Sequence, residues 1–151
     1  MHDIRLRAVE DDDLPILFEH QLDEQANRMA AFRPRDRDAF MTHWGKILDD
    51  PTVIARAIEI DGEVVGNIGS WDGPGVRLLG YWVGRQHWGR GIATAALTAF
   101  LDEDRSRPIH ALVAAHNTGS IRVLEKCGFR RSSEDVSTGD DVEELLFRRD
   151  A

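Results

Sequence analysis

A chain of 151 residues is long enough to bury one core without disulfides or a structural metal, and it reads as a single domain over residues 1–151. With 42% hydrophobic and 30% charged residues, and no apolar run near the roughly 20 residues of a membrane span, it is expected to be soluble and to have no membrane partner. The net charge of −8 argues against general nucleic-acid binding, which needs a basic face to neutralise phosphates.

The first residues, Met-His-Asp-Ile-Arg-Leu-Arg, begin an alternating pattern at once and lack a secretory h-region, so a cytoplasmic protein is expected. Ile4, Leu6 and Ala8 alternate with Arg5, Arg7 and Val9 as a first strand. Asp11-Asp12-Asp13 supplies an acidic helix start, and a helix over about residues 12–28 is predicted to bury Leu14, Leu17, Phe18 and Leu22. After Arg33-Pro34-Arg35, Asp36 or Asp38 caps a second helix whose stripe is Phe40, Trp44, Ile47 and Leu48. Beyond Asp50-Pro51 the pattern turns to strands: Val53 to Ile60, the Asp61-Gly62 turn, Glu63 to Trp71, a glycine-rich turn, then Val76 to Val83.

Gly91 to Glu103 follows as a helix with Ile92, Ala96 and Phe100 on one stripe. A strand from Ile109 to Ala115 leads to a helix from Thr118 to Cys127, capped by Asn117 and ended by Gly128, and two strands near residues 129–134 and 142–148 close the chain. The lone Cys127 has no disulfide partner and reads as a small buried hydrophobe. This order implies a mixed α/β sheet, with one clear β-α-β unit between residues 76 and 115 where a ligand should bind. Charge points the same way. Residues 76–131 hold nine Lys or Arg against four Asp or Glu, while the remainder holds ten against 23, so an anionic ligand is drawn to the middle of the chain.

Gly89-Arg90-Gly91-Ile92-Ala93 joins a predicted strand to a predicted helix, where unpaired backbone N–H groups meet the positive end of the helix dipole. Such a turn suits phosphate, and it equally suits a tight connection with no ligand. Two other phosphate-binding patterns fit poorly. A dinucleotide fold places its glycine turn in the first β-α-β unit with an acidic residue at the end of the next strand, whereas here that strand ends at His116-Asn117. A P-loop needs a Gly-Lys-Ser/Thr sequence that the chain lacks.

Tyr81-Trp82-Val83-Gly84-Arg85 running into Trp88-Gly89-Arg90-Gly91-Ile92-Ala93-Thr94, followed by Asn117-x-x-Ser120 through Gly128-Phe129, resembles the GNAT superfamily of N-acetyltransferases, most closely its RimJ/RimL-type branch. The resemblance implies an α+β fold: a mixed, mostly antiparallel sheet flanked by about four helices, with a splayed parallel pair of central strands forming a CoA cleft. It implies acetyl-CoA as cosubstrate, no metal, and transfer to an amine such as a protein N-terminus, an amino acid or another small amine. It places the CoA pyrophosphate on Trp88, Gly89, Arg90, Gly91, Ile92, Ala93 and Thr94, and the pantetheine arm on Trp82, Val83 and Asn117, with Lys126 near the phosphates. Trp88 stands where the family pattern has Gln or Arg, so that side-chain role is not carried over.

The family's catalytic tyrosine aligns with Leu124, and Ser120 matches a serine of the RimJ/RimL-type branch, making it the expected donor to the departing thiolate. The N–H of Val83 is the expected oxyanion donor. Tyr81 reads as an ordinary strand residue. No carboxylate lies on the strand before the turn, so Glu59, Asp72, His20, His43 and His116 are conceivable ends of a water relay. The acceptor is expected over the first two helices and the loop Met29 to Pro34, and a homodimer through the sheet edges is left open. Two alternatives remain: a non-catalytic acyl-CoA sensor, and an acyltransferase with a larger acyl donor.

Overall fold

The computed structural model describes residues 4–30, 33–132, 136–137 and 143–151. Strand β1 (Ile4–Ala8) leads through a short 3-10 turn into α1 (Leu14–His20), α2 (Glu24–Ala30) and α3 (Arg37–Asp49). A meander of β2 (Ile54–Ile60), β3 (Glu63–Gly73) and β4 (Val76–Val83) follows. Then come α4 (Ile92–Glu103), β5 (Ile109–Ala114), α5 (Thr118–Lys126), β6 (Arg130–Arg131), β7 (Val136–Ser137) and β8 (Glu143–Arg149). The strands form one eight-stranded sheet in the order β1-β2-β3-β4-β5-β8-β6, with β7 also on β8.

Every pairing is antiparallel except β4 with β5, whose register covers only Leu78 opposite His110 and Leu79 opposite Ala111. From Gly80 onward these two strands part, and the expected splayed pair is present. On one face of the sheet α4 and α5 bury Ile92, Ala96, Leu97, Phe100 and Leu124 against Ile58, Ile68, Leu79 and Val113. On the other, α1 and α3 bury Leu14, Leu17, Phe18, Phe40 and Trp44 against Ala57 and Val64. Phe18 meets Phe40 edge-on at 5.4 Å between ring centroids.

The single helix expected over residues 12–28 is two helices. Gln21 ends the first by bonding the backbone of Arg35 twice, donating to its carbonyl at 2.9 Å and accepting from its N–H at 2.8 Å. Asp23 starts the second, accepting from the Ala26 N–H at 3.0 Å. Leu22 falls in this break and is exposed rather than buried, as is Leu48 at the edge of the α3 stripe. Five helices therefore stand where about four were expected. Asp36, not Asp38, caps α3, accepting from Ala39 N–H at 2.8 Å. Asp61 and Gly62 both have positive φ, as the two-residue hairpin turn requires. The last expected strands are β6 to β8; residues 133–135 and 138–142 lie outside those described.

Candidate active site

The end of β4 and the start of α4 are joined by a 3-10 turn (Arg85–His87) and the segment Trp88 to Gly91. Gly89 and Gly91 have φ of 79° and 73°, and α4 opens on Gly91 with no side-chain cap. A side chain at either glycine would meet nothing within 4 Å. Backbone conformation therefore demands glycine here, and the space in front of the first-turn amides of Ile92, Ala93 and Thr94 is open. This is a turn with its donors turned outward and no protein group to satisfy them.

That space belongs to a cavity of about 550 Å³. Its walls include Tyr81, Trp82 and Val83 from β4, the turn residues Trp88, Gly89, Gly91, Ile92, Ala93 and Thr94, and Asn117, Ser120, Arg122 and Lys126 from α5 and its cap. Ala26, Met29 and Ala30 of α2 close it on the acceptor side, and Ala31 and Phe32 of the expected acceptor loop lie outside the described residues. Of the residues expected to bind CoA, Arg90 alone is absent from the lining: its side chain is exposed, and the cationic walls are Arg122 and Lys126. Arg85 is held away by Asp23 at 2.9 Å.

The strand edge that faces the gap can be worked out from the ladder. Gly84 N–H donates to the Val65 carbonyl at 2.9 Å, so alternation turns the N–H and C=O of Val83 away from β3 and toward the parted β5. The indole N–H of Trp88 takes the Val83 carbonyl at 2.9 Å, which leaves the Val83 N–H as the outward donor. Trp88 thus braces the strand end, a role unlike that of the Gln or Arg it replaces. The Trp82 indole N–H donates to the His20 carbonyl at 3.2 Å on the α1 face, and the same alternation turns the Trp82 N–H and C=O toward β3, so it is Val83 that presents its backbone N–H to the gap. Gly66, opposite Val83, is packed so close that a methyl group would run into the Trp82 carbonyl.

In the cavity wall the Tyr81 hydroxyl lies 2.7 Å from Ser120 Oγ and 3.3 Å from the Ser120 carbonyl. Burial pushes the Tyr81 phenol up to about 12, partly offset by its bond to Ser120, so it stays protonated at neutral pH. The sequence reading passed over this tyrosine. The signal was there in the strand alternation, which puts Leu79, Tyr81 and Val83 on the α4–α5 face where Ser120 sits. Leu124, at the position of the family's tyrosine, is 1% exposed and belongs to the core. Asn117 caps α5 through its side-chain oxygen, which accepts from the Ser120 N–H at 3.2 Å, and also lines the cavity. Cys127 is buried, with Sγ 3.6 Å from Thr98 Oγ1 of α4.

None of the suggested relay ends lines the cavity. Glu59 is engaged by Arg7 at 2.6 Å and Asp72 by Arg77 at 3.0 Å. His116 Nε2 bonds the Arg28 carbonyl at 2.8 Å, and burial lowers His20 and His43, keeping both neutral. The histidine that does reach the cavity is His87, buried with Nε2 at 3.6 Å from Glu63. Among the described residues no three His, Cys, Asp or Glu side chains gather as a metal site.

The chain is similar in sequence and fold to known proteins. YkkB of Bacillus subtilis (strain 168) is 29% identical over 142 residues, 85% of this chain and 83% of that protein. RimJ of Mycobacterium smegmatis, solved in complex with CoA-disulfide, superposes with a TM-score of 0.80 at 25% identity, covering 98% of this chain and 82% of that one. The spermidine N-acetyltransferase of Vibrio cholerae, solved with CoA and spermine, gives a TM-score of 0.82 at 18% identity over 96% and 94% of the two chains. The family model described as "Acetyltransferase (GNAT) domain" matches residues 3–130, and the chain belongs to that family.

Proposed function

We propose that the protein binds acetyl-CoA along the β4–β5 cleft and transfers its acetyl group directly to an amine. The observation that carries this reading is the Tyr81–Ser120 hydroxyl pair, 2.7 Å apart, in the wall of a cavity that also takes in the uncapped start of α4. The pyrophosphate would rest on the amides of the Gly89–Thr94 turn, beside Arg122 and Lys126, and pantetheine would run along the open edge of β4 past Asn117. Complexes of RimJ with CoA-disulfide and of a spermidine N-acetyltransferase with CoA and spermine support a CoA-dependent enzyme with an amine acceptor.

The chemistry follows from what lines the cleft. The neutral amine nitrogen attacks the thioester carbonyl, a C–N bond forms, and negative charge builds on oxygen opposite the Val83 N–H. Collapse breaks the C–S bond, and the amine's surplus proton passes to solvent or base. Tyr81, held protonated, donates to Ser120 Oγ, which frees the Ser120 hydrogen to meet the departing sulfur. Ser120→Ala should lower kcat by about 10²-fold while KM for acetyl-CoA stays within about twofold. Steady-state release of CoA thiol measures both, and an unchanged kcat removes Ser120 from the mechanism.

A further inference from the structure

Where β4 and β5 part, a second cavity of about 120 Å³ opens into the gap. It shares Ala30, Tyr81, Asn117 and Ser120 with the larger one, so the hydroxyl pair stands in the wall common to both. What it adds is Glu144 of β8. Among the described residues, the large cavity has no Asp or Glu in its lining, and Glu144 is the one carboxylate in the lining of the small cavity.

The strand pattern explains how a residue so far along the chain arrives there. Glu144 lies opposite Ala114 of β5. Leu145 and Phe147 face the core under α4 and α5, so the alternation of β8 turns Glu144 and Leu146 to the other face of the sheet, where α2 meets β5. Glu144 is half-buried, the rest of the small cavity's lining includes the apolar Leu79, Leu112, Val113 and Leu124, and no described cation pairs with it. A carboxylate in such surroundings is better satisfied by a positive group than by the apolar walls. The two cavities also have opposite polarity: Arg122 and Lys126 mark the large one and Glu144 the small one, with Tyr81 and Ser120 between them.

We propose that Glu144 is a positioning residue for the acceptor: the small compartment receives the acceptor as its ammonium ion, with Glu144 as counter-ion, and the ammonium gives one proton to solvent before the neutral nitrogen attacks. An aliphatic amine is a cation at neutral pH, and a group in this compartment faces the hydroxyl pair at which the thioester is placed. This inference rests on the acyl-transfer reading, and the test separates the two.

The probes are n-butylamine and its uncharged analogue n-butanol, titrated calorimetrically at pH 7 into CoA-saturated protein, with thiol release from acetyl-CoA followed in parallel. Native protein should bind butylammonium and not butanol. Glu144→Gln should weaken butylammonium binding by about tenfold or more, Glu144→Asp should restore part of the loss, and CoA affinity should be unchanged in both. Equal binding of amine and alcohol overturns the proposal, as does equal amine affinity in native protein and Glu144→Gln, or no amine binding by the native protein. Glu144-dependent amine binding without thiol release upholds this site and overturns acyl transfer. Turnover that is indifferent to Glu144→Gln does the reverse.

Discussion

Asp104 and Arg77 form an ion pair outside the cleft. Asp104, buried at the end of α4, accepts from Ser70 Oγ at 2.6 Å and from Arg77 Nε at 3.0 Å. Burial opposes its charge, but the bonds from Ser70, Ser106 and Arg77 prevail and hold it down at about 2. A carboxyl group whose folded value lies below its ordinary value of about 3.9 adds stability that is complete above that ordinary value and is lost as pH falls through about 2. Asp104→Asn should therefore lower Tm at pH 7 by about 6–12 °C, for a loss of about 3 kcal/mol as Arg77, still held by Asp72, loses its buried partner, and should flatten the acid limb between about pH 4 and 2. Thermal unfolding across that range checks it. KM for acetyl-CoA should not move, because none of these residues lines the cleft. Tyr81 makes the opposite case: Tyr81→Phe leaves the cavity's shape but removes the hydroxyl that bonds Ser120.

At the scale of elements, the turn into α4 is the one whose backbone the ligand would meet. Gly91→Ala adds a methyl group to open space, so the effect comes from φ alone, a cost of about 1–2 kcal/mol for a left-handed residue. Its expected outcome is a rise of about 5- to 20-fold in KM for acetyl-CoA with kcat changed much less, read from initial rates over a range of acetyl-CoA concentrations. This turn was legible in the sequence because glycine spacing is a local signal. The break between α1 and α2 was not, since Gln21 stops the helix by bonding Arg35 across a loop, and only the Asp23 cap is a local mark of it. The pairing of Tyr81 with Ser120 was missed for a similar reason. The strand alternation showed which way Tyr81 points, but the packing of α5 over β4 decides what it meets.

For the whole molecule, order of elements was enough to give the mixed sheet, because strand-to-helix connections leave few topologies open, while the parted β4–β5 pair was implied by the family resemblance. What stayed hidden was the partner of the strand expected at 142–148: β8 pairs with β5 over a long range and so brings Glu144 to the gap. Charge is also organised at this scale. The chain carries a net −8, yet Arg122 and Lys126 line the large cavity. A double replacement, Arg122→Ala with Lys126→Ala, should raise KM for acetyl-CoA by about tenfold at low salt and reduce its salt dependence. The account's central claim is direct acetyl transfer at the β4–β5 gap, and its most direct test is amine-dependent release of CoA from acetyl-CoA across a panel of primary amines, with the amine product weighed by mass spectrometry. Transfer predicts CoA release that rises with amine concentration and an acetylated amine in equal amount; CoA binding with no release above background for any amine would contradict it.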